Sequence, residues 1–341
     1  MTAALTYARS SLTLTDVAPA PCGPGEVAVE VHYTGICGTD LHIFHGDMDA
    51  RVPDPLIPGH EMSGRISEVA ADVDGWSVGQ PVTVVPTRSC GACPACETGH
   101  RHICHRLVFL GIDATGSMQS RWVVPAENLV ALPDELALRE AALVEPLAVA
   151  VHDVRRSGVG PGERVLVVGG GPVGVLIALV ARHEGADVVL SEMDAGRRAR
   201  AEELGLRTLD PAGVDVPAEV TAWTEGAGAD VAFEVSGAAR GVDAAVQSLA
   251  VRGRLVMVAI HPKPCEVDLF RFFWRELQLI GARLYDRSDF ERAVELAASG
   301  AVPVASLISD VVTLDRAEQA YRTLEAGQGM KILVDCQRSG D

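Results

Sequence analysis

Four of the chain's eight cysteines lie close together, with the spacing Cys90-x2-Cys93-x2-Cys96-x7-Cys104. Four thiolates on such short spacers can form a closed tetrahedral shell around a zinc ion, which leaves no coordination position for a substrate. An iron–sulfur cluster and free thiols are the alternatives, but the spacing matches no ferredoxin-type pattern. We therefore expect a structural zinc ion, and nearby arginines would offset its doubly negative tetrathiolate complex: Arg88, Arg101 and Arg106.

A second set of metal-binding residue types is spread over three separate segments. Cys37 lies in Gly35–His42, the pair His60-Glu61 ends the segment Pro58–Glu61, and Glu145 lies in Leu143–Ala148. A single cysteine or histidine is more often an ordinary packing residue. Taken together, one thiolate, one imidazole and one carboxylate would leave a zinc position open for water or substrate, as in catalytic sites.

A glycine-rich turn predicts a dinucleotide site. Gly169-Gly170-Gly171-Pro172-Val173-Gly174 fits G-x-G-x-x-G, directly after an apolar strand and at the start of a helical run. In that context Gly169 makes the tight turn, Gly171 lets the backbone approach the pyrophosphate, and Gly174 packs helix on strand. The helix N-terminus, which begins with Pro172 and Val173, receives the phosphate charge.

Glu192 ends the next predicted strand, 18 residues after Gly174. A carboxylate at this position can accept hydrogen bonds from the adenosine ribose and would repel a 2′-phosphate, which predicts NAD in preference to NADP. Arg197 lies close by, where it would soften this preference or stack on the adenine. The alternative is that Glu192 is a solvated charge at the end of a strand.

The two halves of the chain that contain these motifs differ in their predicted secondary structure. Before about residue 150, short strands broken by Gly and Pro predict a small β-rich barrel or sandwich, and Val27, Val29 and Val31 alternate like a half-buried strand. Between residues 150 and 285, strands alternate with helices, which predicts a doubly wound parallel sheet. The fold class is therefore α/β with two domains.

The composition excludes several classes of protein. A formal net charge of −17 with scattered arginines argues against nucleic-acid binding, and 48% hydrophobic residues argue against a disordered chain. The longest apolar run, between Arg164 and Arg182, is interrupted by glycines and is too short to span a bilayer. The N-terminal residues carry no signal-peptide pattern. We expect a soluble, cytoplasmic protein with no membrane or nucleic-acid partner.

The motifs together resemble the zinc-containing medium-chain alcohol dehydrogenases, and within them the polyol, 2,3-butanediol and threonine 3-dehydrogenase branch. The resemblance covers the chain from about Val27 onward, and four motifs carry it: G-I-C-G-T-D-x-H, P-G-H-E, the four-cysteine segment, and V-E-P-L-A-V-A with the glycine-rich turn. It implies a GroES-like catalytic domain over residues 1–150 and 284–341, with a structural-zinc lobe at 88–106. It also implies a Rossmann NAD-binding domain over residues 151–283.

The resemblance also implies the roles of particular residues. Cys37 and His60 are metal ligands, while Glu61 and Glu145 bind the catalytic zinc directly or through water. With one glutamate bound the site is neutral, and with both it carries one negative charge and is a weaker Lewis acid. Thr39 and His42 form a proton relay in the threonine dehydrogenase branch. Family members with a second cysteine in place of Glu145 use two thiolates, and this chain differs from them.

The function implied is an NAD-dependent enzyme that moves a hydride between NAD and a secondary alcohol such as a vicinal diol, polyol or amino alcohol. It would contain one catalytic and one structural zinc ion and form a homo-oligomer, either dimer or tetramer. A carbonyl reductase working in a biosynthetic pathway is one alternative. A dinucleotide-sensing zinc-ribbon regulatory protein is another.

Two further features are less informative. The aromatic segment Leu269–Trp274 is predicted to be buried core or a subunit interface. Cys22, Cys265 and Cys336 fit no partner pattern and are predicted to be buried thiols. Tyr285 matches a substrate-contacting tyrosine of the polyol branch, but Leu284 stands where that branch has an arginine, which argues against sorbitol-like chemistry.

Overall fold

The computed structural model describes residues 2–8, 11–261 and 263–338. Its contacts divide the chain into two units, one comprising Met1–Glu145 with Asp286–Asp341 and the other Pro146–Tyr285. The boundaries expected from the sequence lie within five residues of these positions. The α/β fold class is confirmed, with a β-rich first unit and a parallel sheet in the second.

The first unit is built mainly from strands. In chain order these are β1 (Thr2–Ala8), β2 (Ser11–Val17), β3 (Glu26–Gly35), β4 (Glu61–Val69), β5 (Pro81–Val84), β6 (Thr87–Arg88), β7 (Val108–Phe109), β8 (Arg121–Pro125) and β9 (Leu129–Ala131). Its helices before residue 146 are α1 (Gly38–Phe44), α2 (Pro94–Glu97), α3 (Leu138–Ala141) and the start of α4 (Val144–Ser157).

The second unit alternates strands and helices as expected. It contains β10 (Arg164–Val168), α5 (Pro172–His183), β11 (Asp187–Ser191), α6 (Ala195–Glu203), β12 (Arg207–Leu209), α7 (Val216–Trp223), β13 (Ala229–Glu234), α8 (Ala239–Ser248), β14 (Leu249–Met257), α9 (Leu269–Arg275) and β15 (Gln278–Gly281). The chain then returns to the first unit with α10 (Arg287–Ala298), β16 (Ile308–Thr313), α11 (Ala317–Glu325) and β17 (Lys331–Asp335).

The main sheet of the first unit runs in the order β16-β17-β3-β4-β5-β9, with β8 also pairing with β3. Its centre is β3, where Val27, Ala28 and Val29 are all fully buried. Val31 is buried as well and Glu30 beside it is exposed, so the predicted half-buried strand is confirmed at Val27, Val29 and Val31, and Ala28 is buried in addition. This sheet places the C-terminal strand β17 beside β3, and β3 beside β4.

The second unit is a six-stranded parallel sheet with the order β12-β11-β10-β13-β14-β15. The chain leaves β10 in one direction and returns to its other side at β13, so the switch point at which ligands bind lies between these strands. Helix α5 is buried continuously from Gly174 to Ala181 because its residues are apolar all round. In the described part of the chain, no helix is both long and apolar enough to cross a membrane.

Two predictions about burial need correction. The aromatic segment is not core, since Phe270, Phe273 and Trp274 are 68%, 75% and 71% exposed on the second unit. Cys22 and Cys265 are half-buried, and only Cys336 of the three unassigned cysteines is buried. A hydropathy pattern reports how apolar a segment is, but not whether the same chain covers it.

Candidate metal centres and cofactor site

The four-cysteine segment brings its sulfur atoms together. The Sγ atoms of Cys93 and Cys96 lie 3.5 Å apart, those of Cys93 and Cys104 3.7 Å, and those of Cys104 and Cys90 3.5 Å. A tetrahedral zinc ion with Zn–S bonds of about 2.3 Å separates its ligands by roughly 3.8 Å, close to these distances. None of the eight cysteines forms a disulfide. The donor set therefore fits a structural zinc ion.

Hydrogen-bond donors around this cluster favour the thiolate form of Cys90. The backbone N–H of Ala92, opposed by burial and helped by Cys104 and Arg106, lowers the pKa of Cys90 to about 6. Arg106 donates to Cys90 Sγ at 3.4 Å through its guanidinium and to Cys104 Sγ at 3.3 Å through its backbone. In the described part of the chain neither Arg88 nor Arg101 forms a hydrogen bond to these sulfurs. Arg106 therefore offsets the charge by direct contact.

The first unit also assembles the other predicted ligands. Cys37 precedes α1, His60 precedes β4, and Glu61 is the first residue of β4. One ligand atom from each of these three residues lies within 4.8 Å of the other two. His60 and Glu61 are 3% and 1% exposed, while Cys37 is half-buried. One thiolate, one imidazole and one carboxylate fit the three-ligand donor set of a catalytic zinc ion.

Asp40 is a site residue that sequence reasoning missed. It is 1% exposed, and its Oδ2 atom accepts a hydrogen bond from the Cys37 backbone at 2.8 Å. Its Oδ1 atom lies 3.8 Å from His60 Nδ1, and both atoms lack a hydrogen-bond partner among the described residues. A carboxylate behind a ligating histidine orients the ring and leaves the other nitrogen for the metal. The signal was present, because Asp40 belongs to the motif that contains Cys37.

The electrostatics of this cluster favour a cation. Burial opposes a charged imidazole, but Asp40, Cys37 and Glu145 outweigh it and raise the pKa of His60 well above its usual value. Burial also raises the pKa of Asp40. A buried group of acidic residues that holds a proton on its histidine is a site where a metal ion can replace that proton.

Lys331 is the second residue missed from the sequence. It is 2% exposed, and its Nζ atom lies 2.7 Å from both Glu61 Oε1 and Glu61 Oε2. Burial lowers the pKa of Lys331, but attraction by Glu61, Cys37 and Glu145 exceeds that effect, so the pKa is raised. No sequence signal identified Lys331, because it is 270 residues from Glu61 in the chain.

Glu145 lies near the cluster but outside the three residues that share 4.8 Å distances. It is 4% exposed in the first turn of α4, and its charge contributes to the raised pKa of both His60 and Lys331. The structure thus groups Glu61 with Cys37 and His60, and the choice between Glu61 and Glu145 as the direct ligand stays a prediction.

Thr39 and His42 lie one turn apart on α1. His42 is exposed, and its Nδ1 atom is 3.0 Å from Asp47 Oδ2. No hydrogen bond joins the Thr39 and His42 side chains in the part of the chain that the structure describes. The two residues share a helix that begins at the metal cluster, but their relay role stays a prediction.

The glycine-rich turn has the steric properties of a phosphate-binding loop. Gly169 has φ +106°, and an added Cβ at Gly174 would lie only 1.9 Å from Gly169 O. At Gly171, by contrast, an added Cβ meets nothing within 4 Å. Gly171 immediately precedes α5, whose first residues are Pro172 and Val173. The backbone geometry of the fold is therefore enough to require glycine at positions 169 and 174. At position 171 the fold does not require glycine, and the open space there fits an approaching ligand.

Glu192 lies beside this turn, and Arg197 lies in the first turn of the following helix, α6. Glu192 is 9% exposed, and its carboxylate accepts hydrogen bonds from the backbone N–H groups of Gly170 at 2.6 Å and Asp194 at 2.7 Å. The Glu192 carboxylate retains acceptor sites, since it has about four. The Nε atom of Arg197 is buried and has no hydrogen-bond partner among the described residues. An unpartnered guanidinium nitrogen at this place fits a bound dinucleotide.

Comparison with known proteins decides the family. Residues 23–134 match the alcohol dehydrogenase GroES-like domain, and residues 172–299 match the zinc-binding dehydrogenases. A 2-dehydro-3-deoxy-L-galactonate 5-dehydrogenase from Pseudoalteromonas atlantica is 48% identical over 92% of this chain and 92% of its own length. The chain belongs to the zinc-binding alcohol dehydrogenase family. The sequence resemblance is thereby confirmed.

Other members of this zinc-binding alcohol dehydrogenase family are similar along almost their whole length. A D-xylulose reductase A from Aspergillus niger is 34% identical over 91% of this chain and 89% of its own. The solved structure of 2R,3R-butanediol dehydrogenase from Bacillus subtilis has a TM-score of 0.92 at 31% identity, covering 98% of this chain and 99% of that one. The protein is a zinc-dependent oxidoreductase that acts on a secondary alcohol or ketone with a nicotinamide cofactor.

Proposed function

We propose that this dehydrogenase oxidises a secondary hydroxyl group beside another hydroxyl in a polyol or sugar acid, with NAD as the hydride acceptor. The observation that carries the proposal is the cluster of Cys37, His60 and Glu61, which offers three ligands for one metal ion. The relatives support the substrate class, since their names include a deoxy sugar-acid dehydrogenase and a xylulose reductase.

Cys37, His60 and Glu61 would hold the catalytic ion in this proposal, and Glu145 would act on it from nearby. A second ion, in the four-cysteine lobe, stabilises that lobe without taking part in the reaction. Bound zinc supplies Lewis acidity that lowers the pKa of the substrate hydroxyl, and the nicotinamide accepts the hydride. Asp40 fixes the His60 ring, and Lys331 holds Glu61 in place. The exposed His42 ring, one turn from Thr39, passes the proton to solvent.

The turn Gly169–Gly174 and the start of α5 hold the pyrophosphate. Glu192 accepts the ribose hydroxyls and repels a 2′-phosphate, which favours NAD over NADP. Arg197, with its unpartnered Nε atom, lies beside the adenosine. A cytoplasmic location remains a prediction.

A spectrophotometric screen tests this function directly. Formation of NADH or NADPH, followed by the near-ultraviolet absorbance of the reduced nicotinamide, would be measured with polyols, vicinal diols, deoxy sugar acids, threonine and simple secondary alcohols. We expect NAD-linked activity with a polyol or sugar acid and reversal with the matching ketone. Activity confined to simple alcohols, or absent with every hydroxylated substrate in both directions, would contradict the proposal.

Two variants of Glu192, measured in the same screen, test whether this residue sets the preference for NAD over NADP. Glu192→Ala and Glu192→Gln should each reduce the NAD-to-NADP preference by roughly tenfold, because one charge–charge contact is worth about 1–2 kcal/mol near a surface. The glutamine variant retains an oxygen that accepts from the Gly170 backbone, so it separates charge from local structure. An unchanged preference in both variants would exclude the assigned role.

We also propose that two copies associate through the second unit. The surface comprises α9 and the edge strand β15, on which Leu269, Phe270, Phe273, Trp274 and Leu279 are between 57% and 75% exposed. Phe270 and Trp274 stack at 5.9 Å. Large side chains of this exposure amount to roughly 500–700 Å² of apolar surface per copy, enough for a stable pair to bury about 1,000 Å² in total. An edge strand can pair with its own copy around a twofold axis.

Sedimentation velocity tests this association. The wild-type chain should sediment as a dimer or tetramer, and Trp274→Glu should shift it to a smaller species, since a charge would be placed in an apolar contact. Met193→Glu is the matched control, because Met193 is 73% exposed on the same unit but lies outside this surface. A monomeric wild type, or an unchanged assembly in Trp274→Glu, would contradict the proposed interface.

A further inference from the structure

A buried carboxylate lies at the end of β13 in the second unit. Glu234 is the last residue of this strand, and its side chain is fully buried. Its Oε1 atom accepts hydrogen bonds from the Ser236 backbone at 2.9 Å, the Ser236 hydroxyl at 2.5 Å and the Gly237 backbone at 3.1 Å. Because Glu234 is buried, it cannot touch a ligand itself. Any part that it takes in binding must therefore act through a neighbour.

That neighbour is His261, which follows β14. Its Nε2 atom lies 2.8 Å from Glu234 Oε2, and its side chain is 16% exposed. A carboxylate accepts hydrogen bonds and donates none, so Nε2 carries the hydrogen and Nδ1 of the neutral ring is an acceptor. No hydrogen bond joins Nδ1 to any of the described residues. The ring also borders a cavity of about 450 Å³, whose lining includes Met257 at the end of β14.

The sheet places this pair at the cofactor crevice. An added Cβ at Gly169 would lie 2.9 Å from the backbone nitrogen of Ser236, so the segment after β13 packs directly on the glycine-rich turn. Glu192, the proposed adenosine contact, follows β11 on one side of the switch point between β10 and β13. A dinucleotide spans such a switch point. Its nicotinamide half therefore falls over the carboxyl ends of β13 and β14, where Glu234 and His261 lie.

We propose that His261 binds the nicotinamide half of the dinucleotide by accepting a hydrogen bond at Nδ1, and that Glu234 is a positioning residue that fixes the ring and its tautomer. The donor is an O–H or N–H group of the nicotinamide nucleoside, either a ribose hydroxyl or the carboxamide. This inference rests on the proposed function, because it uses the dinucleotide site at the glycine-rich turn. A histidine that only fastened the segment after β14 would change stability without distinguishing one part of the dinucleotide from another.

Calorimetric titrations with the dinucleotide and its fragments test the role of His261. In His261→Phe, which keeps a ring but lacks an acceptor, NADH should bind roughly threefold to tenfold more weakly, as expected for the loss of one hydrogen bond. ADP lacks the nicotinamide nucleoside and should bind as it does to the wild type. ADP-ribose distinguishes the two donors, since its affinity should fall only if the ribose is the donor. The matched control is His183→Phe, because α5 begins at the glycine-rich turn and His183 lies at its far end.

Glu234→Gln tests the positioning role. The three donors around Oε1 would hold the amide oxygen, so the amide nitrogen would face His261 and donate to Nε2. The ring hydrogen would then move to Nδ1 and remove the acceptor. NADH affinity should fall as in His261→Phe, and the nitrogen NMR shifts of the His261 ring should report the other tautomer.

Two results would overturn the inference. One is an unchanged NADH affinity in His261→Phe and Glu234→Gln, and the other is an equal loss of affinity for ADP and NADH. If His261→Phe does not fold, His261→Asn and His261→Ala replace it. Asparagine keeps an acceptor near the place of Nδ1 and should bind NADH more tightly than alanine does, whereas equal affinities would overturn the inference.

Binding to the wild-type chain separates this failure from failure of the proposed function. A chain that binds neither NADH nor ADP would contradict the dinucleotide site itself. A chain that binds both, but whose NADH affinity is indifferent to His261 and Glu234, would contradict only the role of this pair.

Discussion

Replacing Cys37 by serine should lower kcat/KM by at least about a thousandfold, because zinc Lewis acidity contributes several kcal/mol and each 1.36 kcal/mol is tenfold. Among the described residues the thiolate is one of three groups that share the 4.8 Å cluster, so its loss leaves an imidazole and a carboxylate. The measurements are steady-state kinetics and zinc content per chain. Zinc content should fall by one ion, while the affinity for NADH is retained.

Cys22→Ser is the matched control for this variant. Cys22 is a half-buried cysteine of the same unit, and its Sγ atom donates a hydrogen bond to the Glu26 backbone oxygen at 3.1 Å. Its activity and zinc content should remain at the wild-type values. Retained turnover in Cys37→Ser, or loss of zinc in Cys22→Ser, would show that the ligand assignment is wrong.

Gly171→Ala should weaken NADH binding between about tenfold and a hundredfold while the chain stays folded, since a lost hydrogen bond to a charged group is worth about 1.5–3 kcal/mol. The position tolerates a Cβ in the protein itself, because nothing lies within 4 Å and the backbone is extended at φ −67° and ψ 179°. The added methyl group would occupy the space that the pyrophosphate needs. Fluorescence titration with NADH and thermal unfolding measure the two effects separately.

Two glycines of the same unit serve as controls. Gly160→Ala should change neither property, because that position is also open and its backbone is not left-handed. Gly174→Ala should instead destabilise the fold, since its Cβ would lie 1.9 Å from Gly169 O. Undiminished NADH binding in Gly171→Ala would mean that the dinucleotide does not approach the turn at this position.

Much of the fold was predictable because its signals are local. Apolar strands alternating with helices predict the parallel sheet from β10 to β15, and the glycine-rich turn marks the switch point between β10 and β13. The four-cysteine lobe was predictable for the same reason, since its ligands lie within one short segment. The exposure of side chains was not predictable from local signals. The apolar segment at α9 is exposed because no other part of the described chain covers it, and a local sequence pattern does not report such coverage.

Some residues of the candidate metal site were likewise predictable from the sequence, and others were not. Residue type and the family resemblance together nominated Cys37, His60, Glu61 and Glu145 as zinc ligands. It could not rank Glu61 against Glu145, since that choice depends on distances between separate loops. Asp40 lies three residues after Cys37 in the same motif, so the sequence could have suggested it as a site residue. Its role is indicated only by the structure, in which its unpartnered Oδ1 atom lies 3.8 Å from His60 Nδ1.

The sequence by itself determined the chemistry available to this protein: a thiolate–imidazole–carboxylate set for zinc, a tetrathiolate lobe, and a dinucleotide turn. These follow from donor atoms and short spacings, which any fold must respect. Only the tertiary structure decided that Glu61 lies against Cys37 and His60, and that Lys331 occupies both of its oxygens from 270 residues away. The physical reason is strand register, because β17 beside β3 and β3 beside β4 bring together charges that the chain order keeps apart.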